Sequence, residues 1–139
     1  MPDEDHKAAV RRFFQDVWNE ANVAEAASFL SPEFVSHNSF GLSLVGPDQY
    51  GQAVLAYRSA FPDLVTTVED VLADADRVAV RGTDRGTHLG TFMGYPPTGR
   101  FVTSTWIEIF RLEAGKAVEG WVETDVKQLV DQLAGEPAD

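Results

Sequence analysis

The hydrophobic positions of this chain change period about midway along it. In the first half they recur at helical spacing. Behind the acidic start "PDED", Val10, Phe13, Phe14, Val17 and Trp18 follow the i, i+3, i+4, i+7 rule. This predicts an amphipathic helix with acids in its first turn. In "NVAEAASFL", Asn22 followed by Glu25 resembles a capping box, so a second short helix is expected there, ended by Pro32. "EFVSHN" reads as a short strand. "GPDQYGQAVLAYRSAF" reads as a third helix with Pro47 in its first turn and Tyr50, Ala53, Val54, Tyr57 and Phe61 on its buried side. From there the period falls to two. "LVTTVEDVLAD", "RVAVRGTDRGTHLG", "RFVTSTWIEIFRLEAG" and "KAVEGWVETD" are strand-like, separated by the turn signals "DAD", "TFMGYPPTG" and "EAG". In "VKQLVDQLAG", Val126, Leu129, Val130 and Leu133 share a helix face and Gly135 stands where a cap belongs.

Helices first, then an antiparallel meander, then a short helix make an α+β fold. The expectation is N-terminal helices packed on a strongly curved antiparallel or mixed sheet, forming a cone with an internal pocket, and a short C-terminal helix. No repeat or linker interrupts the 139 residues, so residues 1–139 are expected to form one domain. The net charge of −11 argues against nucleic acid and anionic membranes as partners. Cysteine is absent, which removes disulfides and thiolate chemistry. No apolar run approaches the ~20 residues of a membrane span, and the acidic N-terminus is unlike a secretory signal, so a cytoplasmic location is expected.

With the elements in this order, "AFPDL", "VED", "DRVAVRGTDRGTH", "GYPPTGR", "FRLEAGKAVEGW" and the spaced Asp125 resemble the SnoaL-like polyketide cyclases over about Val10 to Leu133. The resemblance implies the cone-shaped fold of nuclear transport factor 2 and scytalone dehydratase. It also implies an aldol-type ring closure of an aromatic polyketide-like substrate, with neither metal nor cofactor. In that family an aspartate near the end of the last strand is the general acid/base, and Asp125 in "W-x-x-x-D" matches it. Histidines matching His88 and His37 belong to the family's pocket. Gly82 and Gly120 depart from the usual pattern, where bulkier or polar residues are common. Other members of the superfamily imply alternatives: a hydroxylase, an isomerase, an epoxide hydrolase, or a non-catalytic ligand-binding or assembly module.

The residues themselves permit two readings at most of these positions. On a regular last strand Glu119, Trp121, Glu123 and Asp125 share one face, and that face is expected to line the pocket, with Trp121 as a dry wall beside Asp125. Asp125 also precedes the last helix, with Gln128 three residues on, so it is equally suited to capping that helix. His88 in "GTHLG" suits either a substrate carbonyl or the satisfaction of nearby backbone. Phe92, Met93 and Tyr95 suit an apolar lid over a flat ligand, or a hairpin loop tucked onto the core. Trp106, Glu108 and Phe110 share one side of their strand, with Ile107 and Ile109 on the other; pocket on one side and a second subunit on the other predicts a homodimer or homotetramer. Phe14 and Tyr57 are candidate walls. Arg77, Arg81 and Arg85 recur on one strand side and read as a solvated or ion-paired surface, with Arg81 alone also able to reach into the cone. An Asp125–Arg81–Asp84 water-activating trio is disfavoured, because Asp84 falls on the opposite side of the strand from Arg81. The histidines lack metal-ligand spacing.

Overall fold

A computed structural model describes residues 2–135. Helix α1 (Pro2–Phe13) opens with Asp3, Glu4 and Asp5 and closes with Arg11 and Arg12, matching the helix dipole at both ends. It runs directly into one wide π-helical stretch, Phe14–Asn19, where the Glu20 N–H donates to the Gln15 carbonyl five residues back, at 3.0 Å. The sequence pattern predicted a plain helix here. The expected capping box at Asn22 does not form: its side chain makes no cap bond, and Glu25 instead accepts from the Ser28 hydroxyl at 3.0 Å. The segment is a 3-10 turn, Val23–Glu25, followed by the single-turn helix α2 (Ala26–Phe29).

Strand β1 (Leu30–His37), the two-residue β2 (Leu44–Val45) and helix α3 (Gly46–Ala60) follow. Then come β3 (Val65–Asp74), β4 (Arg77–Thr87), β5 (Phe101–Glu113), β6 (Lys116–Thr124) and α4 (Val126–Ala134). The β5–β6 turn carries Ala114 at φ 50° and Gly115 at φ 79°, the left-handed pair that a tight hairpin requires. Gly135 closes α4 at φ 79°.

The six strands form one open mixed sheet in the order β2-β1-β6-β5-β4-β3. All neighbours are antiparallel except β1 and β6, which run parallel. Pro32 falls in the register break between Leu30 and Val35, where a missing N–H costs the ladder nothing. Further register shifts at Val68/Asp70 and Arg111/Leu112 mark irregularities that bend strands.

Helices cover one face of the sheet. Phe13, Phe14, Phe29, Phe34, Tyr50 and Phe110 meet there in the main core, at ring separations near 5–6 Å. A smaller cluster of Phe61, Leu64, Val102, Leu129 and Leu133 seats α4. On the uncovered face Ile107 and Ile109 are 52% and 40% exposed. Arg81 also lies on that face rather than in the cone, paired with Asp70 on β3 at 2.7 Å. Among the described residues no helix is long and apolar enough to cross a membrane.

Candidate active site

Strand parity brings two carboxylates to the covered side of the sheet. On β4, Val78, Val80, Gly82 and Asp84 alternate inward; on β5, Ser104, Trp106, Glu108 and Phe110 do the same. Both acids line a cavity of about 120 Å³ between the sheet, α3 and the Phe14–Asn19 stretch. Its other walls include Phe14, Trp18, Tyr50, Tyr57 and Trp106.

Asp84 is held through one oxygen. The Thr66 hydroxyl donates to Oδ1 at 2.7 Å, and the Trp106 indole N–H donates to the same oxygen at 2.9 Å. Among the described residues Oδ2 has no hydrogen-bond partner. Burial raises the Asp84 pKa to about 6, against the lowering effect of the Thr66 and Trp106 bonds. A carboxylate anchored on one oxygen and free on the other, with a pKa near neutrality, has the properties of a positioned base.

Glu108 is more deeply enclosed, and burial alone raises its pKa to about 8. Its Oε2 is buried without a partner. Near pH 7 this group is therefore a neutral carboxylic acid, able to donate a hydrogen bond or a proton. Its position depends on Gly120 across the β5–β6 ladder. A Cβ built there would stand 2.8 Å from Glu108 Oε2 and 3.0 Å from the Phe34 ring. Gly82 does the same for Trp106: a Cβ would fall 2.2 Å from indole Cζ2. The two departures from the family pattern are thus filled from within by a tryptophan and a glutamate. Tyr50 accepts from the Trp18 indole N–H at 2.8 Å; burial first, then the charge of Glu108, raises its pKa well above the ordinary value. The Tyr57 hydroxyl is likewise held protonated, by burial and by Asp84.

Of the residues singled out from sequence, Trp106, Tyr57 and Phe14 line this cavity. The others lie elsewhere. Trp121 is on the opposite, outer face of β6, stacked on His37 with rings 5.7 Å apart; His37 Nε2 contacts Glu119 at 2.8 Å. The expected inward face of β6 is therefore reversed: Val122 and Thr124 line the cavity, and Gly120 is the buried position. Burial of that glycine, whose missing side chain leaves room for Glu108 and Phe34, sets the parity. Asp125 is exposed and caps α4, its Oδ1 accepting from the Gln128 N–H at 3.0 Å. His88 is wholly buried outside the cavity lining: the Thr98 N–H donates to Nδ1 at 3.2 Å and Phe61 covers the ring. Phe92 packs on Tyr57 and Phe61 behind the wall and pairs with Tyr95, while Met93 is 48% exposed; none of the three reaches the cavity.

Asp84 and Glu108 were missed as a pair, although each left a trace. Each is the one charged residue on a buried strand face, and a lone acid on a buried stripe needs a reason.

The comparisons with known proteins fit this fold. The model of the SnoaL-like polyketide cyclase family matches residues 8–133. The chain belongs to that family. It is 28% identical over 111 residues to the aklanonic acid methyl ester cyclase AcmA of Streptomyces galilaeus, covering 78% of this chain and 76% of AcmA. Among solved structures, AclR of the same organism, provisionally assigned as a hydroxylase, is 30% identical with a TM-score of 0.83, over 96% of this chain and 83% of AclR. A SnoaL-like protein of Jannaschia sp. CCS1, provisionally named a polyketide cyclase, shares the fold at a TM-score of 0.87 and 24% identity, over 97% of this chain and 95% of that one.

Proposed function

We propose that the protein is an acid/base enzyme that closes a ring in a polyketide-like carbonyl substrate, with Asp84 as the base and Glu108 as the acid. The observation that carries this reading is the pair of carboxylates in one small apolar cavity, one with a free oxygen and one fully buried. Asp84 Oδ2 removes a proton from carbon next to a carbonyl, and the electron pair moves into the enolate. The enolate carbon attacks a second carbonyl of the same molecule. A carbon–carbon bond forms, the carbonyl π bond breaks, and the alkoxide takes the Glu108 proton. Return of the proton from Asp84 to Glu108 resets the site, so the net reaction is an isomerisation. The Tyr50 and Tyr57 hydroxyls and the Glu108 carboxyl are among the lining donors for the enolate oxygen.

This assignment moves the acid/base role from Asp125, the position that the family pattern suggested, to a residue inside the cavity. A base that must be ionised at about 6 and an acid that must be protonated at about 8 give a bell-shaped profile between those values. The test is enzyme-catalysed exchange of the benzylic protons of phenylacetone in D2O, followed by NMR across pH. Exchange is the first half of the reaction alone, so its rise through about pH 6 reports Asp84. A rate that ignores pH across that range sinks the reading.

A hydroxylase is the second reading, favoured by the 30% identity to AclR. Its discriminating property is a requirement for oxygen, measured as substrate consumption under anaerobic conditions.

A further inference from the structure

The cavity's room, its pinned walls and its charge all bear on what it accepts. Its volume is about 120 Å³. A dry protein cavity of roughly 150 Å³ holds one benzene, whereas sites for drug-sized ligands take roughly 300–1,000 Å³. The space that Gly82 and Gly120 leave free is already occupied by Trp106 and by Glu108 with Phe34.

The walls are fixed rather than adaptable. Trp106 is pinned at its indole N–H by Asp84 and packed on Phe14 at 4.9 Å; Trp18 is pinned by Tyr50. At the mouth, where Leu42 is half exposed, the Asn38 side chain ties the rim. Its Oδ1 accepts from the N–H groups of Phe40 and Leu42 at 3.2 and 3.0 Å, and its Nδ2 donates to the Leu42 carbonyl at 2.9 Å. The sixteen lining residues include two acids and no lysine, arginine or histidine. An anion brought here meets like charge without a counter-ion, which is costly in an apolar site.

We infer that the inner chamber receives a single uncharged ring, or the open chain that closes into one, and rejects both fused-ring carbonyl compounds and carboxylates. This rests on the proposed carbonyl chemistry for the kind of substrate, but its size and charge limits come from the cavity alone.

The test is calorimetric titration of the whole chain at pH 7.5 with three inert probes: acetophenone, its anionic near-isostere benzoate, and the fused-ring 2-acetylnaphthalene. Acetophenone is expected to bind saturably, with the other two weaker by roughly tenfold or more. The naphthyl result is discriminating, because general hydrophobicity alone would make the larger ring bind tighter. Either competitor binding within roughly tenfold of acetophenone overturns the inference, as does absence of acetophenone binding. Val122→Phe, which fills the chamber from β6, is expected to abolish acetophenone binding; full retention in that variant, with its circular dichroism unchanged, places the ligand elsewhere and also overturns it. A naphthyl-tolerant site would leave the proton chemistry of Asp84 untouched, and a pH-insensitive exchange rate would leave these size limits untouched, so the two failures are distinguishable.

Discussion

The two faces of one sheet treat the same functional group in opposite ways. On the covered face, burial lifts Asp84 to about 6 and Glu108 to about 8. On the open face, Glu119 is pulled below its ordinary value, first by its bond to His37 and then by Arg111. Asp125, at the end of the same strand, is exposed and spends its oxygen on a helix N–H. The difference teaches that the number of acids on a strand says little about chemistry. What matters is whether a carboxylate's partners stabilise its charge, as on the outside, or its surroundings penalise that charge, as on the inside.

The largest expected effect separates the two faces through activity. Asp84→Asn keeps an oxygen for Thr66 and Trp106 to bond, so folding should survive while the base is lost. Its exchange rate should fall by roughly 10²–10⁴-fold, whereas Asp125→Asn should show a far smaller change in the same phenylacetone assay. Equal losses in the two variants would erase the contrast between the faces.

Next in size is a stability effect. Glu108 keeps its proton in the folded chain up to about 8, while the unfolded chain releases it near the ordinary 4.5. Between those values the unfolded state binds fewer protons, so this residue's contribution to stability falls as pH rises and is level outside the window. The span corresponds to roughly 3–5 kcal/mol. Glu108→Gln should flatten the stability slope between about pH 5 and 8, read by urea unfolding at each pH. An unchanged slope would mean that the buried carboxyl titrates as if exposed.

The smallest effect belongs to the outer carboxylate. Asp125→Ala removes the bond to the Gln128 N–H and should cost about 1 kcal/mol of unfolding free energy. A loss near zero would show that water replaces the cap.

Much of the fold was legible because it is local. The hairpin signals "DAD" and "EAG" separate strands very near where β3 to β6 begin and end, and Gly135 stops α4 as expected. The α+β architecture followed from the order of periods. The parallel pairing of β1 with β6 was not legible, since it joins segments some eighty residues apart and rests on only a few register positions. The wide turn after Phe13 was hidden because its apolar residues still satisfy helical spacing. For the site, Trp106, Tyr57 and Phe14 were found because large aromatics on a buried face have few other places to go. The facing of β6 was missed because alternation reveals two faces without saying which is interior. Trp121 pointed one way and Gly120 the other, and a side chain contributed by another strand, Glu108, decided between them.

The π-helical stretch Phe14–Asn19 has a consequence for how such a chain diverges. It follows α1, which anchors the main core, and contains Trp18, which walls the cavity. The wide turn takes up one residue more than an α-helical turn, so loss of a single codon there would tighten the coil to an ordinary α-helix and leave the segments on either side of it nearly in phase. Val10 and Phe13 would keep their place in the core, and the change would fall on the residues of the stretch itself, among them Phe14 and Trp18 of the cavity wall. Natural relatives that differ in length at this point should therefore differ in which aromatic guards the chamber, making one insertion or deletion a shorter route to a new substrate range than several point substitutions.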